Sequence, residues 1–170
     1  MKNIKSIILA TCLLLGNIAF AQESNNGKQL WAKSYLNQKA PELKVEEWIS
    51  GQPDLQGKFV LIDFWATWCG LCRKAIGELN EIHKKFKDEV IVIGISDETA
   101  DKVKAMTDPK IEYYSAVDTQ GTMKNALEVK GIPHVIFIDP KGIVRWEGFP
   151  LLQGHELTEE VIKNLIEKYK

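Results

Sequence analysis

The stretch Phe59-Val-Leu-Ile-Asp-Phe-Trp-Ala-Thr-Trp-Cys-Gly-Leu-Cys72 organises the chain. It reads as an apolar strand that runs into two cysteines spaced Cys-x-x-Cys, and a helical pattern follows from 73 to about 86. The strand should therefore deliver Cys69 and Cys72 to the first turn of a helix. Free backbone N–H groups and the positive end of the helix dipole favour an anion there. A thiolate is an anion, so Cys69 is expected to ionise readily and act as a nucleophile. Cys72 lies one helical turn on, within reach to close a disulfide.

The bulk properties exclude several classes of function. A length of 170 residues suggests one domain, or one domain with an insertion. Apolar residues make up 45% and charged residues 26%, as in an ordinary globular protein. The net charge of −1 gives no electrostatic case for nucleic acid or an anionic membrane surface. The three histidines, His83, His134 and His155, are scattered.

The first 21 residues read as a secretory signal peptide. Lys2 and Lys5 form a basic start, residues 6–20 are uncharged and mostly apolar, and Ala19-Phe20-Ala21 is a cleavage signature. A membrane span needs about 20 apolar residues, and Asn17 interrupts this shorter run. An uncleaved anchor is the alternative. Lipidation at Cys12 fits poorly, because Thr11 precedes it and apolar residues continue past it. Cleavage leaves 20 basic against 23 acidic side chains, a net of −3, and two cysteines, Cys69 and Cys72. The expected location is outside the cytoplasm, in a periplasm. A single closely spaced pair is no disulfide scaffold there, since so short a loop constrains little of the unfolded chain. The pair reads as chemical rather than structural.

Residues 22–39 are expected to be flexible or weakly structured, with faint helical character over 30–38. Residues 40–48 suggest a short extended segment, and 50–57 are dense in turn residues. The apolar runs 58–65 and 89–96 suit strands buried on both faces, joined by the helix after Cys72 into a βαβ unit. That helix carries Ile76, Leu79, Ile82, His83 and Phe86 at helical spacing, with Gly77 as a kink or close contact. A short helix over 98–106 with Asp97 as N-cap, a strand over 113–117 and a helix from 118 or 119 to 129 follow. Residues 130–139 enter a strand, Pro140-Lys-Gly142 signals a hairpin, and 143–147 form the return strand. An amphipathic helix over 157–169 closes the chain, with Leu157, Val161, Leu165 and Ile166 on its apolar face and Thr158 near its start.

The cysteine pair admits three readings. A structural zinc site needs four ligands, and no second pair stands at a suitable spacing. An inert disulfide is the second reading. A dithiol redox centre suits the strand-to-helix context and the exported setting best. Asp63, inside the apolar run, is a candidate proton acceptor for Cys72, because burial raises the pKa of a carboxyl. The alternative is a strand-end acid in solvent. Pro133 precedes a strand, and a cis bond there would expose the backbone of Ile132 as a docking edge for an extended peptide. Spacing alone leaves that bond open. Trp65 reads as packing, and Trp68 as a shield for the thiol that touches substrate. His134 reads as an ordinary strand residue, and Arg73 and Lys74 as solvated surface charge.

Asp63-Phe-Trp-Ala-Thr-Trp-Cys-Gly-Leu-Cys72 followed by Gly131-Ile-Pro133 resembles thioredoxin. Residues 97–118, the N-terminal signal, Ala40-Pro-Glu-Leu43 and Val135-Ile-Phe-Ile-Asp-Pro-Lys-Gly142 resemble the exported TlpA/ResA-like branch of thiol–disulfide oxidoreductases. The resemblance covers about 40–170 and implies an α/β, thioredoxin-like domain. Its central mixed β-sheet would be flanked by helices, with an N-terminal extension and a strand–helix insert at about 97–118. It also implies that Cys69 attacks, Cys72 resolves, Asp63 is the buried acid, and Pro133 is the cis proline beside the active site. Two positions depart from the pattern. Leu71 stands where a proline is common before the second cysteine, which leaves the redox potential open. Ala75 stands where ResA-like members often carry a glutamate that would support a role in cytochrome c maturation.

The expected function is an exported thiol–disulfide oxidoreductase that reduces disulfides in extracytoplasmic proteins. It would need no organic cofactor and no metal. It would need a membrane or exported redox partner to reset it. A dithiol oxidase or isomerase is the alternative enzyme, and a non-catalytic thioredoxin-fold binding module the alternative from another class. A peroxide-reducing enzyme fits less well, because Ala66 stands where such an enzyme would carry a threonine.

Overall fold

The protein is described by a computed structural model over residues 30–170. The expected signal peptide, Cys12 and most of the polar run after it lie outside the described residues. The elements in chain order are β1 (Glu47–Trp48), β2 (Phe59–Trp65), α1 (Gly70–Lys85), β3 (Val90–Ser96), α2 (Ala100–Ala105), β4 (Tyr114–Val117), α3 (Thr122–Ala126), β5 (His134–Ile138), β6 (Val144–Gly148) and α4 (Glu159–Tyr169).

The apolar run of the opening stretch becomes β2, with all seven residues buried. It lies inside a six-stranded sheet of order β1-β4-β3-β2-β5-β6. One edge of β2 pairs parallel with β3 and the other antiparallel with β5, so its backbone bonds are satisfied on both sides. β4 extends the parallel side, β1 and β6 pair antiparallel at the two edges, and the sheet is mixed as expected. The strand–helix–strand unit β2–α1–β3 has parallel strands, so a helix must make the return.

Side chains alternate across β2 and build two cores. Phe59, Leu61 and Trp65 face a core made with α1, α2 and α4. Val60, Ile62 and Phe64 face the opposite core, made with α3 and the chain before β1. This is a thioredoxin-like sheet covered on both faces, and the covering explains why β2 and β3 read as continuous apolar runs. Among the described residues, no helix is long and apolar enough to cross a membrane.

Several local expectations are corrected. Residues 30–38 form no helix. They are instead tied across the domain: Lys33 N–H donates to the Leu127 carbonyl at 3.0 Å, and Asn37 N–H to that of Val144 at 2.8 Å. Buried Glu147 accepts from Ser34 Oγ and, at 2.8 Å, from Tyr35 N–H. α1 begins at Gly70 rather than at 73, and it runs through Gly77, around which a Cβ would meet nothing within 4 Å. Gly77 is therefore neither a break nor a close contact.

Thr99 rather than Asp97 stands at the N-cap of α2, without a side-chain cap bond, and the Asp97 carboxylate pairs with Lys124 at 2.7 Å. α3 is far shorter than 118–129. Gly121, at φ 64°, delays its start, while Glu128, at φ 49°, lies past its end. The Asp118 carboxylate accepts from Met123 N–H at 2.8 Å instead of opening a helix itself. In α4 Thr158 does cap the helix, accepting from Val161 N–H, but Ile162 and Ile166 are the buried residues. Val161 and Leu165 are only partly buried. Residues 97–118 contain α2 and β4, and β4 pairs with β3 on one side and β1 on the other.

Leu61→Ala removes a fully buried side chain from the central strand. It should cost about 2–5 kcal/mol, read as a lower urea midpoint at unchanged slope.

Candidate active site

β2 ends at Trp65, and the chain turns through Ala66–Trp68 into α1. Cys69 N–H donates to the Ala66 carbonyl at 3.1 Å and closes that turn. Cys69 is the N-cap of α1, with extended backbone (φ −85°, ψ 104°), and its sulfur accepts the Cys72 N–H at 3.1 Å. The sulfur thus takes the place that a serine or aspartate oxygen takes in an ordinary cap. No acidic residue occupies the first turn, so nothing there opposes a negative sulfur. Cys69 and Cys72 are joined as a disulfide. They differ in access: Cys69 retains 7% exposure and Cys72 none.

Asp63 is fully buried, which removes the solvent-facing alternative. By alternation it shares the face of Leu61 and Trp65, the face that packs against Cys72 and α1. Neither carboxyl oxygen has a hydrogen-bond partner in the protein, and burial raises the pKa to about 8. Gly94 pairs with Asp63 in the next strand. A Cβ at Gly94 would lie 3.0 Å from Trp65 Nε1 and 3.0 Å from Tyr113 Cε2, so glycine lets both rings close over this layer. Burial, and then the charge of Asp63, push the Tyr113 hydroxyl well above its ordinary range.

The Ile132–Pro133 peptide is cis. The Ile132 carbonyl oxygen lies 3.8 Å from Cys69 Sγ, so this loop borders the reactive sulfur across 63 residues of sequence. Pro133 is buried beneath it and Ile132 partly exposed. Trp68 is 70% exposed and Leu71 55%, on either side of Cys69 in sequence, whereas Trp65 is packed in the core. His134 is buried at the start of β5, beside the Phe64 ring. Arg73 donates to the Asp108 carbonyl at 2.7 Å, and Lys74 stays exposed. Among the described residues, no group of three or more His, Cys, Asp or Glu is placed to hold a metal.

Glu98 is the site residue that sequence reasoning missed. Its carboxylate accepts from Thr67 N–H at 2.5 Å and from Thr67 Oγ at 2.9 Å, and pairs with Lys102 at 2.5 Å. It thereby pins the turn two residues before Cys69. Burial opposes its charge, but the bonds from Lys102 and Thr67 outweigh that and hold its pKa below the usual range. Glu98 and Thr67 are 31 residues apart, and no local pattern joins them.

The two acids have opposite pH signatures. The pKa of Asp63 is raised in the folded state, so its proton stabilises the fold at low pH, and that stability is lost as pH rises from about 4 through about 8. The loss should approach about 1.4 kcal/mol per pH unit, and Asp63→Asn should flatten it in pH-dependent urea unfolding. The pKa of Glu98 is depressed, so its contribution is present at neutral pH and fades as pH falls through its folded value, below 4.5. Glu98→Ala leaves the Thr67 N–H without its acceptor and should cost about 1–3 kcal/mol at pH 7, less at pH 3.

Comparison with known proteins agrees with this geometry. The AhpC/TSA family profile matches residues 36–147, about two thirds of the chain. The thiol-disulfide oxidoreductase ResA of Bacillus thuringiensis is 29% identical over 144 residues, 80% of this chain and 79% of that one. The thiol:disulfide interchange protein DsbE of Pseudomonas fluorescens is 36% identical over 97 residues, 55% of this chain. That match spans about half the length of the relative, 53%. The solved thioredoxin domain of a thiol-disulfide oxidoreductase from Bacteroides vulgatus superposes with TM-score 0.62 at 25% identity, covering 79% of this chain and 96% of that one. With its thioredoxin-like sheet and its paired cysteines at the sheet-to-helix junction, the chain belongs to the AhpC/TSA family, as a thioredoxin-like thiol–disulfide oxidoreductase.

Proposed function

We propose that this oxidoreductase is exported by the signal peptide at 1–21 and reduces disulfides in extracytoplasmic proteins. The observation that carries the reading is the asymmetry of the pair: Cys69 is a helix cap that keeps 7% exposure, and Cys72 is fully buried against the face of β2 that carries the buried acid Asp63. In the reduced protein the Cys69 thiolate attacks one sulfur of a substrate disulfide. A mixed disulfide forms, and the other substrate sulfur leaves as a thiolate and takes a proton from water. Ionised Asp63, directly or through water, accepts the proton of the Cys72 thiol. The Cys72 thiolate attacks Cys69 Sγ, the second substrate sulfur leaves, and the Cys69–Cys72 disulfide remains. Two electrons have passed to the substrate. The cycle uses no organic cofactor. A membrane or exported redox partner restores the dithiol.

Trp68, Ile132 and Pro133 are proposed to receive the substrate. They lie around Cys69, and the Ile132 N–H makes no hydrogen bond among the described residues, so an extended peptide can pair with it. A role in cytochrome c maturation has weaker support. Ala75 is fully buried on α1, where the glutamate that would support that role is lacking. Leu71, exposed between the cysteines, keeps an oxidase or isomerase as the second reading.

Two measurements separate these readings. A reduction potential near the thioredoxin end, about −270 mV, is expected for the reductase; a value near about −120 mV would show an oxidase. Cys72→Ser should trap covalent adducts with exported proteins, Cys69→Ser should trap none, and Asp63→Asn should slow resolution of the mixed disulfide on the order of 100-fold at pH 8. Full cellular function of Cys69→Ser would instead identify a binding module.

A further inference from the structure

We propose that Trp31, from the segment before the sheet, forms a substrate subsite beside Cys69 that selects polypeptides carrying a bulky apolar side chain near the reacting cysteine. This rests on the oxidoreductase reading above. Four large apolar side chains stand exposed among the described residues: Trp31 at 47%, Leu36, Trp68 and Leu71. Two of them flank Cys69, and Trp31 sits on the loop that borders its sulfur. The Trp31 carbonyl accepts Lys130 N–H at 2.7 Å, and the bond from Lys33 N–H to Leu127 fixes the next turn of chain. The indole is thereby laid on Gly131. A Cβ at Gly131 would lie 3.1 Å from Trp31 Cβ, and 3.3 Å from both Trp31 Cγ and Phe149 Cζ. Trp31 and Phe149 thus both lie close over a glycine where a side chain would press on them, and form an aromatic shelf.

The next residue after Gly131 is Ile132, whose carbonyl touches Cys69 Sγ. The shelf is therefore on the order of 10 Å from the reactive sulfur, about three residues of an extended peptide. A substrate chain whose cysteine meets Cys69 and which runs from Ile132 toward Gly131 would pass over Trp31. Trp31 is not buried on that seat. It is held from below by backbone bonds and leaves half its surface open. The occupant that this favours is the chain already obliged to contact Cys69, with an apolar residue two or three positions from its cysteine.

The test uses two synthetic peptides, each with one cysteine as its mixed disulfide with glutathione, alike except for Leu or Ser at the positions two and three residues from the cysteine on both sides. The reduced protein should react faster with the Leu peptide. Trp31→Ala should cut that preference about fivefold, the effect of losing roughly 40 Å² of apolar contact at about 25 cal/mol per Å². Trp31→Phe should keep most of it. The rate with glutathione disulfide and the reduction potential should not move. An unchanged preference in Trp31→Ala overturns the subsite, as does an equal loss with both peptides and glutathione disulfide. Failure of the unmodified protein to react with any of these disulfides overturns the oxidoreductase reading and the subsite with it.

Discussion

Everything at the site depends on where β2 stops. A strand paired on both edges and covered on both faces cannot slide without exposing one of its cores. Its last residue, Trp65, is locked in the lower layer, so the turn that follows begins from a fixed point. Four residues later stands Cys69, whose sulfur accepts the Cys72 N–H in the first turn of α1. The rigidity of the strand is thus converted into the position of one atom. The helix end then supplies the field that favours negative charge on that atom.

The same burial that fixes the strand creates the chemistry of Asp63. A carboxyl in the middle of a dry sheet, without a hydrogen-bond partner in the protein, holds its proton to about pH 8. It is a stability cost at neutral pH, since a leucine would pack there without burying polar oxygens that have no partner. It lies on the face of β2 that packs against α1, and a group that exchanges a proton near neutral pH would suit the proposed resolving step. Glu98 works in the opposite sense. It is ionised, bonded on several sides, and serves to hold the turn rather than to move a proton.

The surface around Cys69 comes from three distant parts of the chain. Trp68 and Leu71 come with the cysteines, Ile132 and Pro133 with the entry to β5, and Trp31 with the segment ahead of the sheet. Only Cys69 and its immediate neighbours belong to the sheet-to-helix junction itself. The other two parts come from loops distant in sequence that a rigid sheet supports.

The strand, the cysteine pair, the following helix and the acid inside the apolar run were legible in the sequence. Each is written in a local pattern: continuous apolarity for a strand buried on both faces, three-residue spacing for a pair on one helical turn, a lone charge where none should be. The cis bond at Pro133 was legible through resemblance to thioredoxin and not through spacing. The extents of α2 and α3 depart from the local pattern because Asp97 pairs with Lys124 instead of capping α2, and because Gly121 and Glu128 take a positive φ at the two ends of α3. The role of Glu98, the pinning of residues 30–39 and the seat of Trp31 on Gly131 had no local signature at all. Their partners lie 31 to roughly 100 residues away, and only the folded sheet brings them within bonding distance. The sequence by itself determined which atoms can react. The tertiary structure decided which cysteine keeps some exposed surface, which carboxyl is buried without a partner, and which side chains surround the pair, because burial and distance are properties of the packed chain.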